Sequence, residues 1–158
     1  MTDIRVRAAV AADQDAVGWI HRLAFAPMRE IYRPGPRAHS ATQQTGSIVR
    51  LVAEIDGRIL ATACYERTPD LLELFSFACD PAHQRQGLAC ALLRHIETIA
   101  RQASIRRLRA VVVAETGNAA IYERLGFTSV ATSPSMIFTS NRFPVIHETV
   151  MEKQLEAP

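Results

Sequence analysis

Apolar residues in this chain recur with two different periods, and the places where the period changes mark the elements. Ile4-Arg5-Val6-Arg7-Ala8 alternates every second residue and predicts an opening strand. Asp13 then stands before Ala16, Val17, Ile20, Leu23 and Ala24, a helical spacing that it is placed to cap. From Pro27 to Gly46 the period is lost, and RPGPRAHSATQQTG predicts a loop or an irregular helix. Ile48 to Glu54, Asp56-Gly57 and Arg58 to Tyr65 predict a hairpin, the Asp-Gly pair accepting the positive φ angles of a tight turn.

The most informative stretch is Leu71 to Ala103. Leu71 to Cys79 is apolar on both parities, as a central strand covered on both sides would be. Asp80-Pro81 ends it, because proline has no N–H for a ladder and keeps the preceding residue out of the helical region. After the short loop Gln84 to Ala89, Leu88, Leu92, Ile96, Ile99 and Ala103 fall on one helical stripe. Leu108 to Ala114 predicts a second buried strand, parallel to the first and reached by a right-handed crossover. Asn118 is placed to cap a short helix, AAIYERL, ended by Gly126. Phe127 to Thr139 and Val145 to Leu155 predict two antiparallel closing strands. The order β α β β β α β α β β describes an α/β fold with a sheet of mixed direction, and 158 residues make one domain, 1–158.

Charge and composition narrow the function by exclusion. Eighteen basic against sixteen acidic residues give a net charge of +2, which calls for neither nucleic acid nor an anionic membrane. The cluster Arg106, Arg107 and Arg109 reads as a solvated strand entrance. No stretch approaches the ~20 apolar residues of a membrane span. Asp3, Arg5 and Arg7 precede any apolar run, so a cytoplasmic protein without an export signal is expected. Three cysteines, Cys64, Cys79 and Cys90, are odd in number and never spaced as CxxC, so neither a disulfide framework nor a zinc site is expected. No group of His, Asp and Glu has metal-ligand spacing, and His83 and His95 read as solvated.

A helix that begins directly after a buried strand aims unpaired N–H groups and the positive end of its dipole at the sheet's carboxyl edge, which makes an anion site. The loop lacks both GxGxxG and GxxxxGK[ST], so dinucleotide and P-loop readings have little support. What it does contain is Gln84, Gly87 and Ala89 in a [Gln/Arg]xxGx[Gly/Ala] pattern, followed by Asn118-x-x-x-Tyr122-x-x-x-Gly126-Phe127. With its strand context, this pattern resembles the GNAT family of N-acetyltransferases from about Ile48 to Leu155; the first forty or so residues match in outline.

The resemblance implies a mostly antiparallel sheet with a central parallel β-α-β crossover flanked by helices, and acetyl-CoA as cosubstrate. It implies that the amides of Gln84, Arg85, Gln86, Gly87, Leu88 and Ala89 cradle the pyrophosphate. The main chain of Phe77, Ala78 and Cys79 would bond the pantetheine arm as a pseudo-strand. Arg85 either reaches a phosphate or faces solvent. Asn118 would serve as cap and cosubstrate contact, and Tyr122 would protonate the departing thiolate. Glu73, assigned to the face of Phe75 and Phe77, stands six residues before Cys79 as the catalytic glutamate does in relatives that acetylate lysines, and is a candidate base. His147 is open to three readings: acceptor-pocket lining, alternative base, or half-exposed strand residue. The implied acceptor is a small-molecule or peptide amine bound by Phe25 to Gly46 and Phe138 to Pro144, with Arg29, Tyr32, Arg33 and Arg142 as attractors of a carboxylate. A non-catalytic acyl-CoA-binding regulator and a transferase of longer acyl chains are the rival readings. Homodimerisation is frequent in the family.

Overall fold

A computed structural model describes residues 3–35 and 47–156. Seven strands form one sheet in the order β1-β3-β4-β5-β6-β9-β7. They are β1 (Ile4–Ala8), β3 (Ile48–Ile55), β4 (Arg58–Arg67), β5 (Leu72–Cys79), β6 (Arg107–Val113), β9 (His147–Gln154) and β7 (Thr128–Pro134). Two short strands, β2 (Arg33–Pro34) and β8 (Phe138–Thr139), pair with each other apart from it. Among the described residues only β5 and β6 run parallel, and helix α2 (Leu88–Gln102) joins them. This is the mixed, mostly antiparallel sheet with a central crossover that the resemblance implied.

The elements follow their sequence signals closely. Asp56 and Gly57 turn the β3–β4 hairpin with φ angles of 52° and 78°. The predicted stripe of α2 buries Leu88, Leu92 and Ile96 against β3, β4 and β5, with Leu51, Ala63, Leu74, Leu108 and Met151 in the same core. Helix α1 (Gln14–Arg29) lies on the opposite face and buries Val17 and Ile20.

Three expectations need correction. Pro27 does not end order: it sits in the last turn of α1, and Arg33–Pro34 forms a strand. The rest of the expected loop, 36–46, lies outside the described residues. The closing segment Phe127 to Thr139 is two strands, because Ser135 interrupts it: its hydroxyl accepts from the N–H groups of Ile137 and Phe138 and donates to Glu148. Asp13 precedes α1 but makes no side-chain cap; its carboxylate accepts from Val10 N–H at 2.8 Å and from Arg7 at 2.7 and 3.0 Å.

That pairing has a consequence for acid stability. Hydrogen bonds from Arg7 and the Val10 amide hold the Asp13 carboxyl down to about 2. A depressed folded-state value gives stability that is complete above the unfolded value near 4 and lost as pH falls toward 2. Denaturant titrations between pH 5 and 2 are expected to show this loss in the native protein and a flatter dependence in Asp13→Asn.

Candidate functional site

The site begins with a bulge. Between β4 and β5 the pairing passes from Cys64–Phe75 to Thr62–Ala78, so β5 spends three residues where β4 spends two. Ser76, the extra residue, has a φ of 55°, unusual for a residue with a side chain. One added residue inverts the alternation of faces. Leu72 and Leu74 point to the α2 face before the bulge; Phe77 and Cys79 point there after it, all against the same core. Glu73, Phe75 and Ala78 take the α1 face. The assignment of Glu73 to one face with Phe77 is therefore corrected: they lie on opposite faces.

The bulge coincides with a parting of strands. β5 and β6 are in register only at Leu72–Leu108, Glu73–Arg109 and Leu74–Ala110. Beyond these, β6 pairs with β9 as far as Val113, and β5 pairs with β4 as far as Cys79. A wedge opens between them toward their carboxyl ends.

The wedge leads into a cavity of about 510 Å³. From β5 it is lined by Phe77, Ala78 and Cys79, and from the following turn and α2 by Gln84, Arg85, Gly87, Leu88, Ala89 and Cys90. Helix α3 (Ala119–Arg124) and its flanks add Asn118, Ile121, Tyr122 and Leu125, while α1 adds Ala24, Phe25 and Met28. Of the residues singled out from sequence, Glu73, Gln86 and His147 do not line it, and neither do Arg29, Tyr32, Arg33 and Arg142. Ala24 and Ile121 were not foreseen, because each reads locally as an ordinary helix position.

The loop before α2 is built for an anion. Arg85 and Gly87 have φ angles of 63° and 86°, turning successive amides toward one side, and Gly87 is the N-cap of α2. The amides of Leu88, Ala89 and Cys90 occupy the first turn, where a helix supplies no acceptor. A Cβ at Gly87 would meet only Ile4 Cδ1, at 3.7 Å, so the glycine is required by its backbone angle and not by crowding. Asp80 closes the strand by accepting from Ala82 N–H at 3.0 Å. His83, expected to be solvated, has its Nδ1 buried 3.5 Å from the Asp80 carboxylate, too long for a hydrogen bond.

Tyr122 projects from α3 into the cavity wall. Its ring meets Phe127 edge-on at 5.4 Å and Phe77 at 6.3 Å. Burial alone pushes its phenol up to about 12, with no hydrogen bond contributing. A hydroxyl held only by packing is available to a ligand. Asn118 makes no side-chain cap, contrary to expectation; its amide lies 3.8 Å from Met28 Sδ, across the cavity mouth from α1.

Six residues are too few to hold a helix alone, so α3 depends on its surroundings. Lys153 Nζ donates to the Leu125 carbonyl and to Glu97 of α2, both at 2.9 Å, and a Cβ on Gly126 (φ 97°) would come within 3.0 Å of Lys153 Cε.

Two ion pairs flank the wedge. Arg109 Nε donates to Glu73 Oε2 at 2.7 Å at the closed apex. His147 N–H donates to Glu115 Oε1 at 2.7 Å, and its Nδ1 lies 2.9 Å from Glu115 Oε2. Burial of Glu115 works against its charge, but these bonds prevail and hold its carboxyl below the usual range. The β2–β8 pair straps the end of α1 to the β7–β9 connection: Tyr32 packs on Phe138 at 4.8 Å, Arg33 donates to Asn141 at 2.6 Å, and Ser140 donates to the Ile31 carbonyl at 2.5 Å.

A family profile described as the acetyltransferase (GNAT) family matches residues 15–127, more than half the chain. The chain belongs to this family. Its fold is shared with the ribosomal-protein-S18-alanine N-acetyltransferase of Escherichia coli (TM-score 0.76, 24% identity, covering 99% of this chain and 96% of that one). It is also similar to nourseothricin acetyltransferase (TM-score 0.72, 17% identity, 97% and 99% coverage). The same holds for yncA of Salmonella typhimurium, solved with its cofactor acetyl-CoA (TM-score 0.65, 20% identity, 97% and 94% coverage). At these identities the likeness is one of fold. No curated protein sequence matches the chain. Among the described residues of this GNAT protein, no helix is long and apolar enough to cross a membrane, and no three His, Cys, Asp or Glu side chains are placed to hold a metal.

Proposed function

We propose that this protein transfers an acetyl group from acetyl-CoA to a primary amine by direct attack, with residues 1–158 acting as one domain. The observation that carries the reading is the continuity of three features: an amide-rich helix start, a parted strand pair, and a tyrosine with an uncommitted hydroxyl. Amides from Gln84 to Ala89 suit the pyrophosphate, with Gln86 exposed and outside the cavity lining. The free side of Phe77–Cys79 suits the pantetheine amides, which replace the missing β6 partner.

The amine nitrogen bonds to the thioester carbonyl carbon, and the C–S bond breaks as the tetrahedral intermediate collapses. Tyr122 gives its proton to the departing sulfur. The amine's proton goes toward Glu73. Glu73 is on the α1 face of the sheet and Tyr122 packs with Phe77 on the α2 side, which suits a reaction in which one partner departs as the other arrives from the far side. Glu73 is four residues from Phe77, a span of about 13 Å, so the proton travels through water. His147 has a different role: an ionised Glu115 only accepts hydrogen bonds, so the pair fixes the start of β9.

The decisive assay follows free thiol on mixing acetyl-CoA with a panel of amines. Tight coenzyme binding with no thiol released by any amine would support the regulator instead, and faster turnover of longer acyl-CoAs would support the other rival. Glu73→Gln is expected to lower kcat/KM about 100-fold, with His147→Gln changing it little. The reverse ranking would move the base to His147. Gly87→Ala is expected to raise the acetyl-CoA Kd about tenfold by calorimetry, since a left-handed angle costs a Cβ residue about 1–2 kcal/mol and relaxing it swings the amides away. Three free cysteines are consistent with a cytoplasmic setting.

A further inference from the structure

Among the described residues, Arg50 is a cation without a counter-ion. It stands on β3 opposite Cys64 and is partly buried beneath α1. Its Nη1 lies 3.2 Å from His21 Nε2 and donates to Thr62 Oγ1 at 3.3 Å. Both partners are neutral. The threonine hydroxyl is free to accept because its own proton goes to the Leu51 carbonyl at 2.8 Å. His21 must accept as well, since a guanidinium has no lone pair to offer. Burial, and then the charge of Arg50, hold the imidazole below its ordinary value, so it stays neutral.

These two bonds use both Nη1 hydrogens. Among the described residues nothing bonds the side-on fork of Nε–H and Nη2–H, the pair whose spacing matches two carboxylate oxygens. Among the described residues no carboxylate lies within 4.0 Å of it; nearby Glu54 is engaged by Arg7, and Glu73 by Arg109. Residues 36–46, which lead into β3, contain no aspartate or glutamate. A partly desolvated guanidinium gains a great deal from an anion and is costly to keep without one.

Its place gives that anion an identity. His21 stacks on Phe25 at 5.3 Å, and Phe25 lines the cavity. Thr62 pairs across the ladder with Ala78, which also lines it. Arg50, Thr62 and Ala78 share the α1 face with Glu73, and Arg50 itself lies outside the cavity lining, one residue beyond it through His21 and Thr62. Two strand spacings, about 10 Å, separate β3 from β5. We infer that Arg50 binds the carboxylate of the amine acceptor, making the substrate class an aminocarboxylate. This rests on the acetyl-transfer reading, and it supplies the carboxylate attractor that the sequence had placed at Arg29, Tyr32, Arg33 and Arg142.

The test uses binding of product analogues and needs no turnover. The full-length protein with CoA would be titrated with N-acetylated ω-amino acids of two to six carbons and, in parallel, with their uncharged amides, by calorimetry and by the His21 imidazole signal in NMR. At least one carboxylate is expected to bind ten-fold or more tighter than its amide and to raise the His21 titration midpoint. Arg50→Gln is expected to abolish that preference, and Arg50→Lys, which keeps the charge without the fork, to retain part of it. CoA affinity, unchanged in both variants, controls for folding. Equal binding of acids and amides, no binding of either, or a preference that survives in Arg50→Gln would overturn the assignment. Failure of the acetyl-transfer reading is seen separately, as absence of thiol release in the wild-type protein.

Discussion

Tyr122→Phe is expected to lower kcat by about 10²–10⁴-fold while leaving the acetyl-CoA Kd within about twofold. The ring keeps its edge contacts with Phe77 and Phe127, so the wall of the cavity survives and only the proton is lost. The pH dependence follows from burial. Because the phenol is pushed up to about 12, it remains protonated across the neutral range and is a donor throughout. The unfolded chain loses the same proton near 10. A raised folded-state value means stability is fully present below pH 10 and falls as pH rises from 10 toward 12. Urea unfolding at pH 8 to 11 should show this decline in the native protein and a shallower one in Tyr122→Phe. An unchanged kcat would remove the acid role and leave the tyrosine as packing.

Leu92→Ala is expected to cost about 2–5 kcal/mol of folding stability, a large share of the roughly 5–15 kcal/mol that domains possess. Leu92 is 1% exposed, packs among the residues joining α2 to the sheet, and also lines the cavity. Chemical denaturation monitors the loss. Acetyl-CoA should recover part of it by mass action, since a ligand that binds only the folded state raises stability with its concentration. A loss below 1 kcal/mol would mean that α2 contributes little to the core.

The crossover and the anion loop were legible in the sequence because a single change of period, from two to 3.6, falls across Asp80 to Gly87. Leu88, Leu92 and Ile96 of the predicted stripe are buried and Ile99 and Ala103 partly so, while Leu93, Glu97 and Ala100, which are also buried, widen the stripe beyond the predicted positions. The bulge left a fainter trace. Leu72 and Leu74 occupy even positions, whereas Phe77 and Cys79 occupy odd ones on the same face, and that switch of parity was readable only once the pairing was known. It is also why Glu73 was assigned to the wrong face. The β2–β8 strap was not legible, because its two-residue strands carry no period and meet across about a hundred residues of chain. Asn118 was given a capping role from its residue type, but the Thr116 hydroxyl already accepts from its N–H and its side chain turns to Met28. Arg50 reads locally as one polar residue in an apolar strand; only the neutrality of its neighbours gives it meaning.

The register of three residue pairs between β5 and β6 has a mechanical side. The seven strands amount to a four-stranded leaf and a three-stranded leaf, stitched at Leu72 to Leu74 and splayed above, like a book held near the foot of its spine. Anything seated in the wedge becomes a strut between the leaves. Lys153, reaching from β9 on one leaf to Glu97 on the helix that covers the other, is the strap across the covers. The angle between the leaves, and with it the spacing of Glu73 and Tyr122, is then set as much by what fills the gap as by the chain itself.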